Sequence, residues 1–171
     1  CRPVGPPFGV TKANGSMVEE LENKPAMEIL STIVEGDYLT DQDKALVEAN
    51  GLLCGLAARG ESPSSSSVTN GDYLVRQIIG FRVPGFMIGD DTKKGDILRF
   101  HVRDRTAALE DMENMMGRAK TERSFAGSQK AGLPLAALQF SCVARGRPLF
   151  GSPNVDLERV SELALPGSTN G

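Results

Sequence analysis

The sequence predicts an α+β fold, a mostly antiparallel mixed sheet with helices packed on it, in a single domain. Three observations carry this. Extended runs at residues 73–83, 86–88 and 97–103 are joined by short turns at Pro84-Gly85 and Lys94-Gly95-Asp96, the spacing of an antiparallel meander. Helical apolar stripes stand outside that run of strands, at 24–34, 41–58 and 106–120. The chain has 171 residues, 40% of them hydrophobic, which is the size and composition of one domain with its own core.

In chain order, residues 8–13 and 17–21 are short extended runs split by Asn14-Gly15, a strong hairpin signal. Pro3, Pro6 and Pro7 make the stretch before them an irregular lead-in. Residues 24–34 read as a helix with Asn23 as N-cap, Pro25 in the first turn, and Ala26, Ile29, Leu30 and Ile33 on one face. A second helix is expected over 41–58. Thr40 caps it, Asp41 and Asp43 favour its start, and Leu46, Ala49, Leu53 and Leu56 form its stripe.

Residues 60–70, with Ser62, Pro63 and the run Ser64–Ser67, read as a surface loop. The helix over 106–120 has Leu109, Met112, Met116 and Ala119 on one face and Asp104 at its start. Residues 121–132 are a polar connector. Residues 134–143 are almost wholly apolar and read as a strand buried on both faces. A short helix over 155–163 precedes a tail, 166–171, expected to be disordered.

The net charge of −3 gives no electrostatic reason to expect nucleic acid or an anionic membrane as partner. Aromatics are 5% with no Trp, which argues against stacking platforms for single strands. Cys1, Cys54 and Cys142 are odd in number and widely spaced, with no C-x-x-C, so a reducing intracellular compartment is expected. The apolar run Leu52–Ala58 is too short to span a bilayer, and the first twenty residues hold no secretory h-region. The chain starts at Cys1 instead of Met, as expected of a piece of something longer.

Few residues offer chemistry. Along 97–103, alternation points Leu98, Phe100 and Val102 one way and Arg99, His101 and Arg103 the other. Three nitrogen donors in a row can hold an anion, although a solvated face is the commoner outcome of such alternation. His101 is the single histidine, and no G-x-S-x-G elbow accompanies it, so catalysis is not expected. Asp72 follows Gly71 at a strand entry, where Asp caps turns. Arg76 meets either a ligand carboxylate or a structural partner, Asp90 or Asp104. The pair Asp90-Asp91 is weak evidence for a divalent metal. Cys142, inside the apolar strand, reads as an inert core cysteine. Arg145-Gly146-Arg147 brings two cations to a strand end, where loops build crevices. Asn154 is placed to cap the last helix.

Taken together, Gly71-Asp72-Tyr73-Leu74-Val75-Arg76, Gly89-Asp90-Asp91, Phe100-His101-Val102-Arg103-Asp104 and Phe140-Ser141-Cys142 follow in order. With Asn23-Lys24-Pro25-Ala26-Met27-Glu28 before them, they resemble the FIST family over about residues 1–160. The resemblance implies that residues 1–22 end the family's N-terminal half and 23–165 form its C-terminal domain. Relatives of this family continue past the last helix into a further strand, where this chain has Pro166–Gly171.

The resemblance also implies an intracellular, cytoplasmic sensory module without enzymatic activity, cofactor or metal. Its ligand would be an amino acid or another small carboxylate, held by Asp72, Arg76, His101, Arg103, Arg145 and Asn154. The alternative is a protein-interaction module that recruits substrates to an F-box ubiquitin ligase. Neither implies nucleic acid or membrane as partner.

Overall fold

The first strand, β1 (Arg2–Asn14), folds back onto β2 (Met17–Leu21) through Gly15-Ser16. Gly15 has φ +57 and Ser16 does not share the positive φ, the pattern of a type II′ turn with glycine at its first central position. The computed structural model describes residues 1–57, 73–125 and 138–164. It divides the chain into two compact units, Cys1–Asp104 and Arg105–Gly171.

The hairpin stands where the sequence placed it, but its first strand begins at Arg2, so the proline lead-in is not irregular. β1 pairs with β7 (Ile97–Val102) at residues 2–4 and again at 8–9. Pro6 and Pro7 fall in the break between these two stretches, where their lack of an N–H costs no ladder bond.

A second tight turn, Glu22-Asn23, has both φ angles positive, 51° and 61°, and leads into β3 (Lys24–Pro25). Asn23 is thereby used in the turn, and Pro25 stands at the N-cap of α1 (Ala26–Glu35) in place of the expected Asn23. The expected face of α1 is the buried one: Ala26, Ile29, Leu30 and Ile33.

Helix α2 (Asp41–Asn50) starts at a capping box. Asp43 N–H donates to Thr40 Oγ1 at 3.1 Å, and Thr40 N–H donates to the Asp43 carboxylate at 3.0 Å. The helix stops at Asn50, not residue 58. Gly51 takes φ +75, and the apolar run beyond it becomes β4 (Leu53–Ala57). A short apolar run fits a buried strand as well as a helix stripe. Here Leu53 and Leu56 lie on opposite faces of a strand instead of on one helical stripe.

Strands β5 (Tyr73–Arg82) and β6 (Gly85–Ile88) form the expected hairpin across the Pro84 turn. The meander ends there. β6 pairs next with β2, while β7 lies between β1 and β4. The strand order is β1-β7-β4-β5-β6-β2-β3, and the β1–β2 pairing closes six of these strands into an antiparallel barrel. Closure gives each barrel strand two neighbours and leaves no open edge. The core holds Val4, Val10, Val18, Leu21, Ile33, Phe86, Ile88, Leu98, Phe100 and Val102. Phe100 stands at its centre, 5.9 Å from the Phe86 ring and 6.0 Å from Phe8. Burying one such side chain stabilises the fold by about 1.5–3 kcal/mol.

The second unit holds α3 (Arg105–Phe125), a 3₁₀ turn (Val143–Arg145), α4 (Arg147–Phe150) and α5 (Val155–Ala164). Helix α3 buries Ala108 and Met112 and runs on to Phe125, into the segment read as a connector. The strand expected over 134–143 is not formed in its described part. Residues 138–142 are irregular, and Leu138, Phe140 and Val143 are 91%, 95% and 91% exposed. All described strands belong to the first unit, so this segment has no described strand beside it to share a ladder. Cys142 is accordingly exposed and not a core residue. Asp72, the expected loop 60–70, residues 126–137 and the tail 166–171 lie outside the described residues.

Candidate functional site

The expected site residues fall into two groups, one in each unit. In the first unit the sheet register separates Arg76 from His101. Arg76 stands opposite Cys54, which stands opposite Phe100, whereas His101 stands opposite Leu53. Residues one step apart in register face opposite sides of a sheet. Arg76 therefore starts from the Cys54 and Phe100 side, and Arg99 and His101 from the other. Arg76 Nε donates to Asp90 Oδ2 at 2.9 Å, so of the two roles weighed for it the structural ion pair is formed. Arg103 lies just past β7 and is half-buried.

His101 is fully buried. Its ring meets Tyr73 edge-on at 5.1 Å between centroids and fills the space over Gly55. A Cβ at Gly55 would lie within 3.0 Å of His101 and Tyr73 atoms. His101 Nδ1 is 2.9 Å from the Arg99 carbonyl oxygen, which can only accept, so Nδ1 carries the proton. Nε2 is then a bare acceptor, and it has no hydrogen-bond partner among the described residues. Desolvation pulls the imidazole pKa down to about 4, against the hydrogen bond to the Arg99 carbonyl, which favours the protonated ring. The sequence offered His101 as one of three nitrogen donors for an anion; in the fold its Nδ1–H is given to the Arg99 carbonyl. Cys54, also buried, has its thiol pushed up by the same desolvation and is inert.

A third cluster is structural. Arg2 Nε donates to Asp104 at 3.0 Å and its terminal nitrogen to Asp43, tying the start of β1 to the first turn of α2. Desolvation pushes the Asp43 carboxyl up, but the Thr40 hydrogen bonds and Arg2 together hold it below the usual range.

The second unit holds an open cavity of about 500 Å³, within the span typical of small-ligand sites. Its polar lining is Gln139, Ser141, Arg145, Arg147, Asn154 and Asp156, and its apolar wall is Val143, Phe150, Pro153 and Leu157. Arg145 reaches Asp156 with both arms of its guanidinium, Nε to Oδ2 at 2.6 Å and Nη2 to Oδ1 at 2.8 Å. Ser141 Oγ adds a bond to Oδ2 at 2.9 Å, and the Arg145 guanidinium carbon sits 5.5 Å from the Phe150 ring centre. The hydrogen bond from Arg145, set against desolvation and helped by Ser141, holds the Asp156 carboxyl below its usual range. Of the expected site residues, Arg145 and Asn154 line this cavity. Asn154 has φ +62, and its backbone carbonyl accepts the Glu158 N–H at 2.9 Å. Sequence reading missed Asp156 and Ser141, because nothing local marks an aspartate in a helix's first turn as the partner of an arginine eleven residues earlier.

Among the described residues, no group of three or more His, Cys, Asp or Glu is placed to hold a metal ion. No described helix is long and apolar enough to cross a membrane.

An antiparallel barrel with helices in the first unit, and a helical second unit, define a protein of the α+β class. Residues 26–170 match the family model described as the FIST C domain, and the chain belongs to this family of sensory, signal-transduction domains. The chain is 32% identical over 165 residues to an uncharacterized protein of Mycobacterium bovis and to uncharacterized proteins of Mycobacterium tuberculosis. Each alignment covers 95% of this chain, and the chain spans about two fifths (39–40%) of those relatives' length. No solved structure matches.

Proposed function

We propose that this chain is a non-enzymatic, intracellular sensory domain that takes a small organic anion, an amino acid or another small carboxylate. The cavity of the second unit is where it would sit. The observation that supports this reading is the composition of that cavity. Two arginines, one aspartate and neutral hydrogen-bonding groups face a wall of Phe150, Val143 and Leu157. Such a wall accepts an apolar body while the polar groups fix its orientation. Arg76, His101 and Arg103 support it less, because Arg76 is spent on Asp90 and His101 is a buried acceptor.

A thermal-shift screen of the chain against small carboxylates, amino acids and their neutral amides tests it. A ligand that binds the native state stabilises it by about 2.7 kcal/mol at a hundredfold excess over Kd. A rise in midpoint confined to the anions is expected. No rise with any anion, the chain being folded, would overturn the reading.

A second reading is a protein-interaction module, such as the substrate-recruiting part of an F-box ligase. It is favoured by the apolar side chains at alternate positions Ile79, Phe81 and Val83 along and just past β5, which are 60%, 67% and 88% exposed. A retained partner that fails to bind after Phe81→Ser would support it.

A further inference from the structure

Resting on the ligand reading above, the charge balance of the cavity goes further and separates its two arginines. We propose that Arg147, and not Arg145, receives the anionic group of the ligand, and that the ligand class is a singly charged organic anion with an apolar body.

Arg145 is committed. Its Nε and Nη2 both meet Asp156, which is only 8% exposed, and its face lies against Phe150. Asp111 on α3 adds further negative potential at the same guanidinium. Drawing Arg145 to a ligand would leave a buried carboxylate without its cation, a costly exchange. Arg147 lines the same cavity two residues on and is exposed. It forms no side-chain hydrogen bond or ion pair among the described residues.

Its backbone is held in place. Gly151 N–H donates to the Arg147 carbonyl at 2.9 Å and Phe150 N–H to the Gly146 carbonyl at 2.9 Å, so the short α4 fixes where the side chain starts. Among the described lining residues two guanidiniums stand beside one carboxylate, Asp156 is taken by Arg145, and the guanidinium left without a partner there is Arg147. A planar fork with no side-chain partner among the described residues suits a carboxylate in two-point contact. The apolar wall beside it sets the other half of the ligand. A multiply charged anion would leave charge uncompensated there.

Phenylacetate and its neutral isostere phenylacetamide are the probes, titrated calorimetrically into the full chain and into Arg147→Gln and Arg147→Lys. Arg147→Gln changes an exposed side chain with no partner among the described residues and should leave the unfolding midpoint where it is. The proposal expects wild type to prefer phenylacetate over the amide by at least tenfold. It expects Arg147→Gln to abolish that preference, and Arg147→Lys to keep part of it. Undiminished preference in Arg147→Gln would overturn the assignment while leaving the ligand reading in place. A wild type that binds the amide as well as the acid, or neither, would overturn the assignment, and the ligand reading falls with it if no anion of the thermal-shift screen binds.

Discussion

Protonating His101 means placing a charge where no water reaches it. The folded ring titrates at about 4, below the 6.5 of a free histidine, because burial disfavours the charged form. Between these values the unfolded chain binds a proton that the folded chain does not. Stability is therefore lost as pH falls from 6.5 toward 4, by roughly 3 kcal/mol in all. Urea unfolding at pH 7 and pH 4.5 should show the drop, and His101→Gln should remove most of it. A midpoint that does not move across this range would contradict the buried neutral ring. Asp43 and Asp156 act in a lower window. Their carboxyls are held below the usual range, so their contributions are full above it and fade only as pH falls through the folded values.

Asp156 also bears on the second unit directly. Asp156→Ala strips three hydrogen bonds from Arg145 and Ser141 and should lower stability by about 2 kcal/mol. Hydrogen exchange on α5 would register it, and unchanged protection there would show that the latch is idle. At this scale the sequence was legible where partners were near. Arg76 with Asp90 was one of two alternatives, fourteen residues apart across a hairpin. The setting of His101 was not legible. It depends on β4 and β5 placing Gly55 and Tyr73 against the ring, and β4 lay inside what read as a helix.

The end of α2 rests on one backbone angle. Gly51 at φ +75 lets the chain leave the helix and enter β4, a conformation that an L side chain adopts only with strain. Gly51→Ala should cost about 1–2 kcal/mol, with no clash to add, since nothing lies within 4 Å of the Cβ position. Thr40→Ala at the other end removes the capping box and should cost about 1 kcal/mol. Denaturation midpoints measure both, and a Gly51→Ala variant as stable as wild type would argue that the helix continues, as the apolar spacing implied. That spacing misled because Leu52–Ala57 carries too few residues to separate a period of 3.6 from a strand buried on both faces. Helices α1 and α3 were legible because each repeats an apolar stripe. The segment 134–143 reads as a strand by composition alone, and its described part shows that composition does not supply a ladder partner.

Across the whole molecule, the antiparallel character was readable from turn chemistry, while barrel closure was not. Closure rests on β1 serving two neighbours at once, β7 through its first half and β2 through its second, and no local pattern encodes that sharing. The cavity of the second unit was readable only as two cations near a glycine, because its defining feature is the removal of one of them by Asp156.

We place the small organic anion in this cavity and on no surface of the barrel. Backbone amide chemical shifts of the full chain during titration with phenylacetate test it most directly. Saturable shifts concentrated between Ser141 and Leu157, and largest around Arg147, are expected. Shifts that cluster on β5 and β7 around Arg76 and His101, or no saturable shift anywhere, would contradict it.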